Sequence, residues 1–479
     1  MKLLNYINGQ MVEPISQKWM DNTDPSTNTV FSQIPDSDER DVQVAVDAAK
    51  QAFVGWSTMP VKKRSDMLLR IAALIEKNLQ RFAEAESLDN GKPVWLAKQV
   101  DIPRASANFH FYATAALHLT AETHAMENTA INYTLRQPIG IAGCISPWNL
   151  PLYLFTWKIA PALASGNCVV AKPSEITPVT AFLLSQFCIE AGLPAGVLNI
   201  IHGTGPRVGS AIVSHPDIPV ISFTGGTKTG AEISRIAAPM FKKLSLELGG
   251  KNPNIIFADC DFDHAVSTSI KSSFSNQGEI CLCGSRIFIQ RSIYDKFKEA
   301  FVSKVKALKT GDPKDETNFL GAIVSQPHFE KILSYIDLAR EEGGVILTGG
   351  KAIQPEGRCK DGFFIEPTVI ENLPYNCRTN QEEIFGPVVT LTPFDTEEEV
   401  LKMANSTPYG LAATVWTTNL TKAHKVAAAL HSGIVWINCW LLRDLRTPFG
   451  GVKQSGIGRE GGFEALKFFT EEKNICIKL

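Results

Sequence analysis

The chain runs to 479 residues, 44% of them hydrophobic and 20% charged, with a formal net charge of -2 and an isoelectric point near 6.5. That is enough chain for two or three domains with large cores, and the near balance of charge leaves no basic excess for a nucleic-acid backbone or an anionic membrane surface, so neither partner is expected. Met1 to Gln10 lacks a continuous apolar run and no stretch approaches the length of a membrane span, which makes the cytoplasm the expected address.

Residues 4 to 35 read as short strands, with Asn8-Gly9 marking a hairpin and Asp24-Pro25, followed by Ser26 and Asn28, a second turn. From Asp38 to Phe53 and from Lys62 to Leu88 apolar residues return every three or four positions (Val42, Val46, Ala49; Leu68, Ile71, Leu74, Ile75), which predicts helices on either side of Pro60. Another helix is expected over 97–119, with Pro103 near its start or at a kink.

From Thr134 strands alternate with helices: strands over 139–145, 167–171, 197–201 and 220–224, helices over 154–164, 180–191, 207–214 and from Thr229 onward. After 244–250 a second alternating region begins. Its strands fall at 254–257, 286–290, 367–370, 388–394 and 433–438, and its helices at 262–274, 292–308, 328–341 and 396–405; a Gly-rich loop over 448–458 and a strand over 474–479 close the chain. This alternation predicts an α/β fold with two doubly wound parallel regions facing across a cleft, ligands lying at the carboxyl ends of the strands.

The ten cysteines are scattered, as expected of reduced thiols. Cys281-Leu-Cys283 has no second Cys or His pair at ligand spacing, so no metal is expected. Cys281, which follows Asn276-Gln-Gly-Glu-Ile280, is the candidate nucleophile. A thiol with the usual pKa of about 8.5 is only a few per cent thiolate at neutral pH, so it needs an activating environment and a base. Glu247 lies in the apolar alternation Leu244-Ser-Leu-Glu-Leu-Gly-Gly250 at the junction of the two regions. Desolvation there would raise its pKa and suit a general base; a carboxylate paired within a hinge is the alternative. Asn149 stands between Pro147 and Pro151 after the strand ending near Ile145, where its amide can donate to a developing oxyanion or bond its own turn.

Two further stretches sit at strand ends. In Phe223-Thr-Gly-Gly-Thr-Lys-Thr-Gly230 the glycines allow a backbone to approach a pyrophosphate at a helix N-terminus, although the G-x-x-x-x-G spacing alone fits a structural turn equally well. In Lys172-Pro-Ser-Glu175 a glutamate can accept from both ribose hydroxyls and would repel a 2′-phosphate, favouring NAD over NADP; a solvated surface pair is the other reading.

Together and in order, Pro-Trp-Asn-Leu-Pro (147–151), Lys-Pro-Ser-Glu (172–175), Phe-Thr-Gly-Gly (223–226), Leu-Glu-Leu-Gly-Gly-Lys-Asn-Pro (246–253), Asn-Gln-Gly-Glu-Ile-Cys (276–281), Glu-Glu-Ile-Phe-Gly-Pro (382–387) and Pro-Phe-Gly-Gly-Val-Lys-Gln-Ser-Gly-Ile-Gly-Arg-Glu (448–460) resemble the aldehyde dehydrogenase superfamily over nearly the whole chain. The resemblance implies an NAD-binding domain (1–121 and 140–248), a catalytic domain (249–458) and a small β oligomerisation arm (122–139 and 459–479), assembled as a homodimer or homotetramer. It implies Cys281 as nucleophile, Glu247 as base, and Asn149 with the Cys281 backbone N–H as oxyanion hole. NAD contacts are implied for Ile145, Ser146, Pro147, Trp148, Lys172, Ser174, Glu175, Gly205, Gly209, Phe223, Thr224, Gly225, Gly226, Thr229, Gly230, Leu248, Gly249, Glu383 and Phe385. Gly226 departs from the serine common in the family.

Substrate choice turns on two arginines. Arg104 shares a helical face with Asn108 and Phe111, and Arg443 precedes the Gly-rich loop, with Arg446 in reserve. Asp-Ile-Pro-Arg (101–104) and Asn-Cys-Trp-Leu-Leu-Arg (438–443) are similar to segments of family members acting on carboxylate-bearing semialdehydes, which implies that Arg104 and Arg443 bind the far carboxylate of a small-molecule aldehyde. Retinal oxidation, a broader aldehyde range and a non-catalytic binding role are the competing readings.

Overall fold

The computed structural model describes residues 1–479. Asn8 and Gly9 take φ of 51° and 77°, the left-handed pair that a two-residue hairpin needs, and join Asn5–Ile7 to Gln10–Val12. The first helix, Glu39–Thr58, starts at Asp38, whose carboxylate closes a capping box with Asp41. The apolar repeat over 62–88 divides at Asn78 into two helices, Val61–Lys77 and Leu79–Asn90. The next helical stretch begins at Val94, widens into a π-turn over Ala97–Asp101 and continues as Ile102–Ala115. Pro103 falls just after the π-turn inside this continuous helical run, where its missing N–H interrupts the backbone ladder.

Two mixed sheets, each parallel at its centre, follow from the alternation. In the first the strands lie in the order Gln10–Val12, Asn5–Ile7, Leu198–Ile200, Cys168–Lys172, Ile141–Ile145, Val220–Thr224, Lys243–Glu247 and Gly456–Ile457. The five from Leu198–Ile200 to Lys243–Glu247 are parallel. From Ile141–Ile145 the chain winds outward through 168–172 and 198–200, then returns to the other side through 220–224 and 243–247. The topological switch therefore lies between Ile145 and Thr224, where a doubly wound sheet opens a crevice. Helix Pro151–Ala164 packs beside this sheet with only Leu154 outside the buried set; it is apolar on most of its surface, and its one charge, Lys158, is buried and paired with Glu460.

The second sheet runs Val345–Thr348, Thr368–Glu371, Val388–Phe394, Arg286–Gln290, Pro253–Ile256, Ala412–Trp416 and Ile434–Ile437, all parallel except the first. Sequence reading missed Val345–Thr348 and Ala412–Trp416, and also the helix Leu420–Ala429. Ala-Ala-Thr-Val-Trp is buried on both faces and carries no alternation to betray a strand.

The sheets depart from the expected partition near the C-terminus. Gly456–Ile457, within the stretch assigned to the second region, pairs antiparallel with Lys243–Glu247 of the first sheet. Helix Gly462–Phe468, within the stretch assigned to the arm, packs on helix Pro151–Ala164, and Ala465, Leu466 and Phe469 join the first core. The arm itself is a three-stranded sheet in which Ala130–Pro138 lies between Thr123–Met126 and Thr470–Lys478. Its last strand begins four residues before the expected Asn474. No helix is long and apolar enough to cross a membrane.

Candidate active site

Helix Phe262–Phe274 ends in a turn where Asn276, Gln277 and Gly278 take φ of 52°, 57° and 72°. Left-handed backbone costs a non-glycine residue on the order of 1 kcal/mol or more, and buried amide contacts offset it. Asn276 Nδ2 donates to the carbonyls of Asn149 (3.1 Å) and Glu279 (3.2 Å), while Gln277 donates to Ala322 O and accepts from Gly321 N–H, each at 3.2 Å. A Cβ on Gly278 would lie 2.2 Å from Gly386 O. Three left-handed residues thus reverse the chain and deliver Cys281 to the seam between the two sheets.

At that seam two donors stand ready. Asn149 Nδ2 uses one hydrogen on Glu279 O (2.9 Å), and the Cys281 N–H finds no acceptor within the chain. Cys281 O accepts from Asn252 Nδ2 at 2.7 Å, which fixes the orientation of its peptide. Burial, then the carboxylates of Glu383 and Glu247, hold the Cys281 thiol well above its usual pKa, with Arg443 pulling the other way. The resting group is a thiol.

Glu247, the last residue of its strand, is 4% exposed, and neither of its carboxyl oxygens has a hydrogen-bond partner. Burial and then the negative charge of Glu460 push its pKa well above the carboxylate range. Glu460 is held in place by Lys158 Nζ (2.8 Å) and Ser222 Oγ (3.0 Å). These groups come from 158, 222, 247 and 460, so no local motif announces them.

Cys281 lines two cavities at once. One, of about 260 Å³, is bounded by Pro147, Trp148, Asn149, Thr224, Gly225, Gly226, Leu248, Gly249, Glu383 and Phe385, with His328 and Lys331, which sequence reading did not anticipate. Its walls are close-fitted: a Cβ on Gly249 would lie 2.5 Å from Glu383 Oε2, and one on Gly225 2.4 Å from the Phe223 ring. Glu383 accepts from Gly250 N–H at 2.8 Å, while Trp148 meets His328 and Phe385 edge-on. His328 is pushed down to about 4 by burial and is neutral near pH 7. Glycine backbone beside the start of helix Thr227–Ala237 suits a pyrophosphate.

The remaining predicted cofactor residues divide into two groups. At the end of Cys168–Lys172, Lys172 Nζ pairs with Glu175 Oε2 (2.7 Å) and Glu175 Oε1 accepts from Gly205 N–H (3.1 Å). A Cβ on Gly209 would lie 3.8 Å from Lys172, and Ser174 Oγ accepts from Ile176 N–H at 3.2 Å. This carboxylate, held among N–H donors, fits a ribose. Ile145, Ser146, Phe223, Thr229 and Gly230 do not line the cavity. Ile145 and Phe223 are register neighbours beneath it, Ser146 donates its N–H to Lys172 O, Gly230 makes room for Leu248, and Thr229 is exposed on the helix.

The second cavity, about 400 Å³, is lined by Cys281, Glu247 and Glu460, by Leu150, Tyr153, Trp157 and Phe449, and by Arg104 and Arg443. Arg443 donates to Tyr153 Oη at 2.5 Å and lies over the rings of Phe449 (4.0 Å) and Trp157 (5.1 Å). Arg104 lies 5.8 Å over the Tyr153 ring. Neither forms an ion pair; aromatic faces hold both guanidinium groups, while the charge of Arg443 acts on Glu247 and that of Arg104 on Asp444 in favour of the ionised carboxylate. Arg446, the reserve candidate, is corrected: it pairs with Asp444 at 2.6 Å, is exposed and does not line the cavity. Tyr153 and Trp157, four apart on one helix, were legible as a shared face.

Comparison with known proteins gives the family. The model of the aldehyde dehydrogenase family matches residues 11–475. The chain is 53% identical over 480 residues to a 2-aminomuconic semialdehyde dehydrogenase of Danio rerio, covering 99% of this chain and 98% of that one. It is 46% identical over 484 residues to a 2-hydroxymuconic semialdehyde dehydrogenase of Pseudomonas sp. (strain CF600), covering 100% of both. Among solved structures, an NAD+ complex of an aldehyde dehydrogenase from Bacillus cereus is similar with a TM-score of 0.97 and 39% identity, covering 100% of this chain and 97% of that one.

Proposed function

This chain belongs to the aldehyde dehydrogenase family, and from that premise we propose that it oxidises 2-aminomuconate 6-semialdehyde to 2-aminomuconate with NAD, a step of the kynurenine route of tryptophan breakdown. One observation carries the reading: Cys281 and two guanidinium groups that form no ion pair line one cavity. A substrate that carries both an aldehyde and a carboxylate matches this lining. A long apolar polyene would leave the arginines desolvated and unpaired.

Cys281, a thiol at rest, gives up its proton through the ionised Glu247 carboxylate of the same cavity to solvent; the thiolate adds to the aldehyde carbon, and the Asn149 amide with the Cys281 N–H stabilises the resulting oxyanion. NAD, when bound across Gly225, Gly249 and Glu383 with its ribose on Glu175, supplies the nicotinamide ring that accepts hydride. A thioester then remains on Cys281. Glu247 takes a proton from water, the hydroxide attacks the thioester carbon, and the acid leaves as the thiolate is restored. The Glu175 carboxylate repels a 2′-phosphate, which favours NAD. The arm, with Met126, Ile131, Leu135 and Ile477 exposed along its strands, serves as a contact between copies in a cytoplasmic homodimer or homotetramer.

A panel of 2-aminomuconate 6-semialdehyde, neutral aliphatic aldehydes and retinal, each with NAD and NADP, tests the reading. The semialdehyde with NAD is expected to give the highest kcat/KM. Preference for retinal or a neutral aldehyde overturns the substrate, and absence of NADH with every aldehyde overturns the activity.

A further inference from the structure

Lys92 belongs to none of the motifs above, yet it is completely buried. It follows Gly91, which ends helix Leu79–Asn90 with φ of 90°. Its ammonium lies 2.7 Å from Asp101 Oδ1, 3.1 Å from the carbonyl oxygen of Asn149 and 3.6 Å from Glu86 Oε1. Both carboxylates are completely buried as well. Glu86 reaches the same loop from the other side, its Oε2 accepting from Leu152 N–H at 3.2 Å. Asn149–Leu152 is therefore gripped at two peptides by one buried ion cluster, and Asn276 Nδ2 adds a second donor to Asn149 O.

Such a cluster is a poor way to stabilise a fold. Taking the Lys92 ammonium and the Asp101 carboxylate out of water costs several kcal/mol per ion, and apolar replacements of the same volume are often neutral or stabilising. What the cluster does supply is a short charge-assisted bond to one particular carbonyl. That carbonyl belongs to the residue whose side-chain amide must meet the oxyanion, where a misplacement of about 1 Å can cost 100-fold in rate. Asp101 also ends the π-turn that leads into the helix of Arg104, so the same ammonium ties together the loop and the helix, both of which contribute to the lining of the cleft.

We infer that Lys92 is a positioning residue for oxyanion stabilisation: its ammonium holds the Asn149 main chain so that the free amide hydrogen of Asn149 meets the carbonyl oxygen of the bound aldehyde. This rests on the aldehyde dehydrogenase reading and on Asn149 as the oxyanion donor.

The test is a double-mutant cycle on the full-length enzyme, read as the rate of the NADH burst with a neutral aliphatic aldehyde, which leaves the arginines out of play. Asn149→Ala should slow the burst by about 100-fold or more, and Lys92→Met by roughly 10- to 100-fold. In the Asn149→Ala background Lys92→Met should add nothing further, with the dissociation constant of NAD unchanged throughout. An equal fold-loss in both backgrounds would mark a merely structural lysine and overturn the inference. So would a Lys92→Met burst at the wild-type rate beside a slowed Asn149→Ala. A wild-type rate in Asn149→Ala itself would instead overturn the oxyanion reading, and this inference with it. Because Lys92→Met strands a charged Asp101 in the interior, the cycle is repeated with Lys92→Met/Asp101→Asn; Glu86, pushed up to about 8 by burial, is neutral at pH 7. The same pattern of rates is expected from that pair, and additive losses there overturn the inference equally.

Discussion

The two cavities that meet at Cys281 are built from different materials. On the cofactor side the walls are backbone: Gly225, Gly226, Gly249 and the peptides around Pro147 and Trp148, closed by Glu383 and Phe385. On the aldehyde side they are side chains, gathered from residues 99–107, 150–157, 224, 247, 280–282, 441–449 and 460. A backbone wall is intolerant of any added atom, whereas a side-chain wall tolerates change in shape but not in charge. The first surface suits a ligand that does not vary; the second is where one member of a fold comes to differ from another.

The largest effect should fall on Cys281, which with Thr224 is common to both. Cys281→Ala should abolish NADH formation with every aldehyde while leaving NAD binding nearly intact, since the rest of the cofactor cavity's lining is unchanged; measurable steady-state turnover would remove Cys281 as nucleophile. Next, Gly249→Ala puts a Cβ 2.5 Å from Glu383 Oε2, so the carboxyl must shift by several tenths of an ångström. We expect kcat/KM for NAD to fall roughly 100-fold with KM for the aldehyde little changed. Equal losses toward both substrates would show that the two sides are not separable.

On the aldehyde side, Arg443→Ala should cost about 2–3 kcal/mol, roughly 30- to 150-fold in kcat/KM, for a carboxylate-bearing semialdehyde, and only a few-fold for a neutral aldehyde. Parallel losses for the two would argue against a carboxylate clamp. A smaller, pH-dependent effect is expected from Glu460→Gln. Burial and Glu460 hold the folded pKa of Glu247 above its unfolded value, so ionised base accumulates only as pH rises through that folded pKa. By the same sign, the stability due to a protonated Glu247 is fully present below its unfolded pKa and is lost as pH rises through the folded one. Removing the Glu460 charge lowers the folded pKa, and the acidic limb of the thioester-hydrolysis rate should move down by about one pH unit. A limb that stays in place would assign it to another group.

The same contrast explains what was legible in the sequence. Glycines and prolines at strand ends constrain their own neighbourhood, so the cofactor side could be read from contiguous motifs, and the helices at 262–274 and the strands at 286–290 and 388–394 fall where periodicity puts them. The aldehyde side depends on contacts across 290 residues, as between Tyr153 and Arg443, or 302, as between Lys158 and Glu460. No local pattern encodes such pairs. Ala412–Trp416 escaped for another reason, since a strand buried on both faces has no alternating face. The eighth strand, Gly456–Ile457, is two residues long and exists only through its partner.

The mildest prediction tests whether every glycine of the backbone wall is required. Gly225 is: a Cβ there meets the Phe223 ring at 2.4 Å. Gly226 is not, because nothing lies within 4 Å of the position its Cβ would take, and its φ of -71° and ψ of 145° suit any residue. It is also the N-cap of helix Thr227–Ala237, with no side chain to satisfy the first free N–H groups. Serine is a better N-cap than glycine by a few tenths of a kcal/mol, and its hydroxyl would add a donor beside the expected pyrophosphate. Gly226→Ser should therefore leave the fold intact or slightly more stable and lower KM for NAD by a few-fold at most. Thermal unfolding and NAD titration measure the two effects separately, and a Gly226→Ser protein that binds NAD more weakly would mean that the dinucleotide backbone needs the space a serine fills.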